Sequence, residues 1–265
     1  MVYNSILLRY GEIFLKGKNR SMFEKKLISN IEQIAKIKVK NLRSRLIADY
    51  FEDHSTLKRI FGLVSYSPAL KVETNIDCIK KSSLELLSGC KGKFKVRTKR
   101  SDKRFPIKSP EMDVLIGKFI EENSSLRFNF NSKTILNIEI NQEGTFLFFE
   151  NIPCFGGLPT GVEGKVNVLI ENEASLLAGV LFMKRGTGIL PMAYKKKNIE
   201  VLQQYSHIPL KLEIVKDLNK YQDGCLVVGD NFDKRKKYNT ELLIFRPLIA
   251  YSDEEIKRSL KKFLL

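Results

Sequence analysis

Apolar and polar positions over the first fifty residues follow each other in an order that predicts strand, loop, helix and strand. Ile6-Leu7-Leu8 is a short apolar run, Gly11–Lys18 carries two glycines, and Phe23, Leu27, Ile31 and Ile34 recur at spacings of 4, 4 and 3. That period is an amphipathic helix opening near Asn19, and the alternating stretch Val39–Phe51 predicts a strand or hairpin for it to cover. A second set of elements begins near Thr56. Ser67-Pro68 is expected to break a strand-like run, Ile76–Leu87 has helical spacing, and Phe94–Thr98 alternates with period two. A helix is predicted from about Pro110 with Ser109 as its cap. Ile135–Ile140 and Thr145–Phe149 read as a hairpin around Glu143-Gly144.

The turn-rich stretch Pro153–Gly161 is the best boundary, because strands and helices alternate after it. The order is Val166–Ile170, helix Ala174–Lys184 with Gly186 as C-cap, Gly188–Ala193, helix Ile199–Tyr205, Leu210–Val215, Cys225–Val228, Leu242–Phe245 and helix Asp253–Leu264. Alternation of this kind implies a parallel sheet with flanking helices, whose ligands bind at the carboxyl ends of the strands. The expected division is 1–55, 56–152 and 153–265.

Charge sharpens this picture. The chain of 265 residues carries 46 Lys+Arg against 30 Asp+Glu, a net +16, and residues 1–110 alone hold 25 and 10. Such an excess points to a polyanionic partner. No apolar run approaches the roughly 20 residues of a membrane helix, and the N-terminus lacks the order of a secretory signal, so a cytoplasmic protein is expected. The four cysteines form no C-x-x-C pair and only two histidines are present, so no metal site is expected.

The most informative segment is Lys91–Lys108, with nine basic residues and one acidic in eighteen positions. Alternation puts Lys93, Lys95, Arg97 and Lys99 on one face of a strand and Phe94, Val96 and Thr98 on the other. Same-face side chains about 6.6 Å apart, twice the strand rise, roughly match the phosphate repeat of a nucleic acid. Arg100, Lys103, Arg104 and Lys108 extend this rail. A second candidate is the segment Arg9–Arg20, where Arg9, Lys16, Lys18 and Arg20 stand close to the free N–H groups at the start of the following helix.

Arg9-Tyr10-Gly11-Glu12-Ile13-Phe14-Leu15-Lys16-Gly17-Lys18-Asn19-Arg20 resembles the opening signature of the ThiI family, the tRNA 4-thiouridine sulfurtransferases. Phe94–Pro110 resembles that family's THUMP segment, Gly156–Val168 its linker into a PP-loop pyrophosphatase domain, and Met183–Gly186 and Phe245–Ile249 further stretches of that domain. The resemblance implies an α/β protein: α+β ferredoxin-like (1–55) and THUMP (56–152) modules, then a shortened parallel-sheet PP-loop domain (153–265). It also implies tRNA binding through the acceptor region, adenylation of uridine 8 by the third domain, and sulfur from a persulfide cysteine.

The catalytic half departs from that pattern. Where the family has Ser-Gly-Gly-x-Asp-Ser, Val168-Leu169-Ile170 is followed by Glu171-Asn172-Glu173-Ala174-Ser175, with both glycines gone and two carboxylates present. A carboxylate about 4 Å from a phosphate opposes it by roughly 4 kcal/mol at an effective dielectric near 20. The family's basic, cysteine-bearing segment is reduced to Lys216–Gly224, and Cys225 falls in a strand. Leu169, Ile170, Ala193, Tyr194 and Gly229 match the family's adenosine-contacting positions by location. The expectation is therefore a tRNA-binding protein or subunit without autonomous adenylation, with no catalytic residue and no cofactor. An active ATP- and magnesium-dependent uridine-8 sulfurtransferase and a general RNA chaperone stand as alternatives. A separate sulfur carrier or catalytic subunit, and a second copy of the chain, are the expected protein partners.

Overall fold

The computed structural model describes residues 3–42 and 45–264. Arg43 and Ser44, inside the predicted 39–51 hairpin, lie outside the described residues. The chain divides into two compact units. One comprises the described residues through Arg9, Lys38–His54 and Tyr66–Ile152; the other comprises Tyr10–Ile37, Ser55–Ser65 and the chain from Pro153 onward.

The first elements are β1 (Ser5–Tyr10), a 3₁₀ segment Glu12–Asn19, α1 (Arg20–Ala35), β2 (Val39–Leu42), β3 (Arg45–Asp49) and β4 (Leu63–Val72). They are followed by α2 (Ile76–Leu87), β5 (Lys93–Arg100), α3 (Ser109–Glu122), β6 (Arg127–Phe128), β7 (Ile135–Asn141), β8 (Gly144–Phe148) and β9 (Ile152–Pro153). These strands form a sheet in the order β2-β3-β1-β4-β8-β7-β5-β6, with β9 beside β4. Strand β5 runs parallel to both β6 and β7, while β7 and β8 make the expected antiparallel hairpin.

Pro68 does not break β4, contrary to expectation, because proline's fixed φ suits extended backbone and removes only one ladder donor. The cap of α3 is shifted by one residue: Lys108 occupies the extended cap position and Ser109 is the first helical residue. The N-cap of α2 is Asn75, whose carboxamide oxygen accepts from the N–H groups of Asp77 and Cys78. Phe94 and Val96 of β5, Leu136, Ile138 and Ile140 of β7, and Met112, Ile116 and Ile120 of α3 make one buried core.

The remaining elements are β10 (Lys165–Leu169), α4 (Glu173–Lys184), β11 (Gly188–Ala193), α5 (Glu200–Gln203), β12 (Glu213–Ile214), β13 (Cys225–Val227), β14 (Leu243–Phe245) and α6 (Asp253–Lys261). Their sheet, β12-β11-β10-β13-β14, is parallel throughout. Two predicted elements are shorter than expected: 199–205 gives a single helical turn and 210–215 a two-residue strand. Gly186 adopts φ +95 just past α4, the left-handed geometry expected of a residue that ends a helix. One face of the sheet packs Val168, Ile170 and Val227 against α4, α5 and α6, together with Phe61, which stacks on Tyr205 at 4.9 Å. The other face, Leu169, Met192, Leu226 and Val228, is covered by Leu218, Tyr221 and Tyr238 from connecting segments. Among the described residues, no helix is long and apolar enough to cross a membrane.

Candidate nucleic-acid interface and sheet edge

Strand β5 carries the alternation its sequence predicts. Phe94, Val96 and Thr98 are buried under α2 and α3, while Lys93, Arg97 and Lys99 are exposed and Lys95 is half-buried on the opposite face. Beyond Phe94 the outer edge of β5 runs past the end of β6, and the Thr98 N–H donates instead to the Asp113 carboxylate of α3 at 2.6 Å. Burial raises the Asp113 carboxyl above its ordinary range.

The extensions of the rail behave differently from its centre. The Arg100 guanidinium donates to the carbonyls of Phe105 (2.6 Å) and Ile107 (3.2 Å), so it holds the following loop closed. Arg104 is bidentate to Asp102, and this partner pulls the Asp102 carboxyl down to about 2. That ion pair offers a phosphate no net charge. Lys103 and Lys108 are exposed.

Across the sheet, Lys99 is in register with Glu139 of β7. The Glu139 carboxylate accepts from Arg45 at 2.8 Å and pairs with Arg9 at 3.6 Å, with its side chain only 7% exposed. Arg9 also donates to Ser67 and Asn151 and lies 5.0 Å over the Phe148 ring. Burial lowers its guanidinium from the ordinary value, against the pull of Glu139. Arg9, Arg97 and Lys99 thus border one recess of about 220 Å³, but Arg9 enters it already neutralised.

The predicted loop before α1 is a 3₁₀ helix, kinked at Gly17 where φ is +52. Two of its cations are engaged. Arg20 donates to Glu24 at 2.6 Å and to the Tyr10 hydroxyl at 3.0 Å and lies 4.6 Å over the Phe14 ring; Lys16 pairs with Glu163 and lies 4.5 Å over Phe23. Only Lys18 of this trio is fully exposed. Arg9 belongs to the first compact unit and Lys16, Lys18 and Arg20 to the second.

At the carboxyl end of the parallel sheet, Leu169, Ile170 and Ala193 are buried, with the Ile170 N–H and the Ala193 carbonyl used in backbone hydrogen bonds. Tyr194 is exposed. Gly229 has no room for a side chain: a Cβ there would lie 2.3 Å from the Ser175 nitrogen. Asn172 caps α4, its oxygen accepting from the Ser175 N–H, while the Ser175 hydroxyl accepts from the N–H groups of Glu171 and Asn172. Three N–H groups at the turn where a phosphate would be wrapped are therefore satisfied within the chain. Glu171 accepts from the Lys236 ammonium (2.9 Å) and the Tyr238 hydroxyl (3.0 Å), which also donates to Asp230 (2.8 Å). Burial and the bond to Asp230 raise the Tyr238 hydroxyl well above its ordinary value. Among the described residues no cluster of three or more metal-ligating side chains occurs.

Residues 5–67 match the ThiI ferredoxin-like domain and residues 73–150 the THUMP domain. A "Probable tRNA sulfurtransferase" of Mycoplasmopsis synoviae (strain 53) is 38% identical over 188 residues, covering 70% of this chain and 50% of that protein. The chain belongs to the ThiI family. A second relative of the same name, from Thermoanaerobacter sp. (strain X514), is 38% identical over 237 residues, covering 84% of this chain and 58% of its own. The chain thus spans about half the length of the curated ThiI relatives it matches. Among solved structures, PH1313 from Pyrococcus horikoshii Ot3 superposes with a TM-score of 0.85 at 26% identity, covering 99% of this chain and all of its own. A 4-thiouridine synthetase–RNA complex with bound ATP gives 0.83 at 25%, covering 99% of this chain and 85% of its own. Within this ThiI chain, the group that sequence reasoning missed is the cluster of Lys236, Tyr238 and Arg246 around Glu171 and Asp230. The signal available was the run Lys234-Arg235-Lys236-Lys237, four consecutive cations in the segment between β13 and β14.

Proposed function

We propose that this chain binds tRNA, through the acceptor region, with the β5 face of its THUMP-bearing unit, and that its parallel-sheet unit does not adenylate RNA by itself. The observation that carries the first part is the rail: four cations of one strand on one face, with the core on the other. A cation not already held by a carboxylate can release counterions from a phosphate backbone, and Lys93, Lys95, Arg97 and Lys99 qualify where Arg9 and Arg104 do not. The relatives named for tRNA sulfurtransfer and the RNA complex among the structural neighbours support tRNA as the polyanion.

The second part is supported by the turn after β10. Asn172 and Ser175 cap each other there, Glu171 holds Lys236 and Asp230 holds Arg246, so a nucleotide pyrophosphate would have to displace internal hydrogen bonds. Sulfur transfer would then need a separate carrier or catalytic subunit. The rival, an ATP-dependent uridine-8 sulfurtransferase, draws on the superposition with a synthetase that holds ATP. Pyrophosphate release from ATP, with and without unmodified tRNA and beside a binding titration of that tRNA, separates the two. Binding without release is expected; tRNA-dependent release would establish the rival.

A further inference from the structure

The amino end of the parallel sheet, opposite the end where such sheets bind their ligands, gathers Lys26, Lys165 and His207 within the second compact unit. Lys165 opens β10 in register with Gly188 of β11, Lys26 lies on α1, and His207 lies between α5 and β12. The Lys26 ammonium is 3.0 Å from Nε2 of His207. An ammonium can only donate, so Nε2 accepts and the ring proton sits on Nδ1. That Nδ1–H is buried and has no hydrogen-bond partner.

The two lysines flank one stretch of backbone. Gly161 has a φ of +84, and a Cβ on it would lie 3.2 Å from His207 Cε1, the carbon between the two ring nitrogens, and 3.4 Å from the Lys26 ammonium. On the other side, a Cβ on Gly188 would lie 3.2 Å from the stem of Lys165 and 3.7 Å from the Gly161 Cα. Among the described residues neither lysine is in an ion pair, and Glu163, the carboxylate nearest to Lys165 in sequence, is held by Lys16 at 3.3 Å. The crowding acts on the groups themselves: burial and the charges of Lys26 and Lys165 depress His207, and burial and Lys165 depress Lys26. Lys165 is exposed and the other two are half-buried, so the cluster opens to solvent on the Lys165 side.

An acceptor is missing at this cluster, and beside it a donor is missing as well. Asn30, 2% exposed, follows Lys26 by one turn of α1; its amide donates to the Thr160 carbonyl next to Gly161, and its Oδ1 has no partner. Buried polar atoms are ordinarily satisfied, so unpaired donors and an unpaired acceptor around one backbone turn call for a ligand that is both anion and donor. A free phosphate ion keeps a proton at neutral pH, whereas sulfate and the phosphodiesters of RNA offer acceptors only.

We propose that Lys26, Lys165 and the Nδ1–H of His207 form a binding site for a free phosphate ion, with Asn30 Oδ1 accepting the ion's own proton. The site involves neither the β5 rail nor the turn after β10, and it stands whether or not the tRNA reading does.

The chain has only two histidines, so NMR of their ring protons in the full chain reads the site directly. His54, bonded to the Tyr66 hydroxyl in the first compact unit, is the internal control, and His207→Gln assigns the signals. Sodium phosphate, titrated at neutral pH and constant ionic strength, is expected to move the His207 signal saturably and to leave that of His54 in place. Lys165→Gln removes an exposed charge and should weaken the apparent affinity about fivefold. Lys26→Gln should weaken it about tenfold or more, with the melting temperature as the control for folding. Sulfate, or an RNA oligomer with hydroxyl ends at matched phosphate concentration, should need at least about fivefold more to give the same shift. A stationary His207 signal, a common drift of both histidines, or an affinity unchanged by Lys165→Gln would overturn the proposal. So would an equal response to sulfate, which would leave Asn30 without its role, or to the RNA oligomer, which would make the ligand a nucleic-acid backbone.

Discussion

Replacing Lys93, Lys95, Arg97 and Lys99 by glutamine removes four charges from one face of β5 while leaving Phe94, Val96 and Thr98 in the core. Arg100 and Arg104 are left in place, because one closes a loop through two carbonyls and the other is bound to Asp102, so changing them would mix folding with binding. If each of the four meets one phosphate of the duplex acceptor arm, the slope of log K against log salt falls by about 0.9 per contact, about 3.6 in all. Between about 50 and 200 mM salt the unaltered chain should then lose about 150-fold more affinity than the variant. The assay is a titration of unmodified tRNA at four or more salt concentrations, with the circular dichroism spectrum and melting temperature of the variant as the control for folding. A variant that melts like the parent and keeps the parental slope would refute the rail, whatever its affinity at a single salt concentration.

Glu139→Gln should destabilise the chain by about 2–4 kcal/mol in urea unfolding, since it leaves Arg9 and Arg45 sharing a largely buried site without their carboxylate; Glu139→Asp should recover part of the loss. His207, whose ring nitrogen lies 3.0 Å from the Lys26 ammonium, is pushed down to about 4 by burial and by the charges of Lys26 and Lys165. Its folded pKa is below its unfolded one, so the unfolded chain binds the extra proton between about pH 6.5 and 4; stability should fall across that window by about 1–2 kcal/mol after solvent screening. His207→Gln should flatten the fall, and an unchanged pH profile would remove this histidine from the account. Gly229→Ala sets a methyl against the backbone of Ala174 and Ser175, at 2.6 and 2.3 Å, and should cost about 2–3 kcal/mol, read as a lowered melting temperature. If instead it melts like the parent, Gly229 is not the packing residue its surroundings imply.

Periodicity made the order of elements legible because each has a single buried face. Phe23, Leu27 and Ile31 are buried on α1, and β5 and β7 present the alternation their residues spell out. What periodicity could not convey is which surface each face meets. The helix with that stripe falls in the compact unit that also holds the parallel sheet, as does Phe61, whose ring stacks on Tyr205. Such long-range pairings depend on side chains far apart in sequence. The misread boundaries are local: Pro68 continues a strand because extended backbone tolerates its ring, and Lys108 takes the extended cap position without a side-chain cap bond, its own backbone N–H donating to the Glu111 carboxylate at 3.3 Å.

The same distinction governs the candidate sites. A run of cations is visible in sequence, but its availability to a phosphate depends on which carboxylates and carbonyls lie opposite, and these come from elsewhere in the chain. Arg9 and Lys99 look equivalent as residues. One is held by Glu139, 130 positions away, together with Ser67 and Asn151; the other sits in register with that same Glu139 yet remains exposed. Conversely, Glu171 reads in sequence as a charge that would repel a phosphate, whereas Lys236 and Tyr238, brought to it from 65 and 67 positions further on, hold it in an ion pair and a hydrogen bond. The N–H groups of Glu171, Asn172 and Ser175 at that turn are bonded to the side chains of Ser175 and Asn172, so a nucleotide would compete with bonds already made.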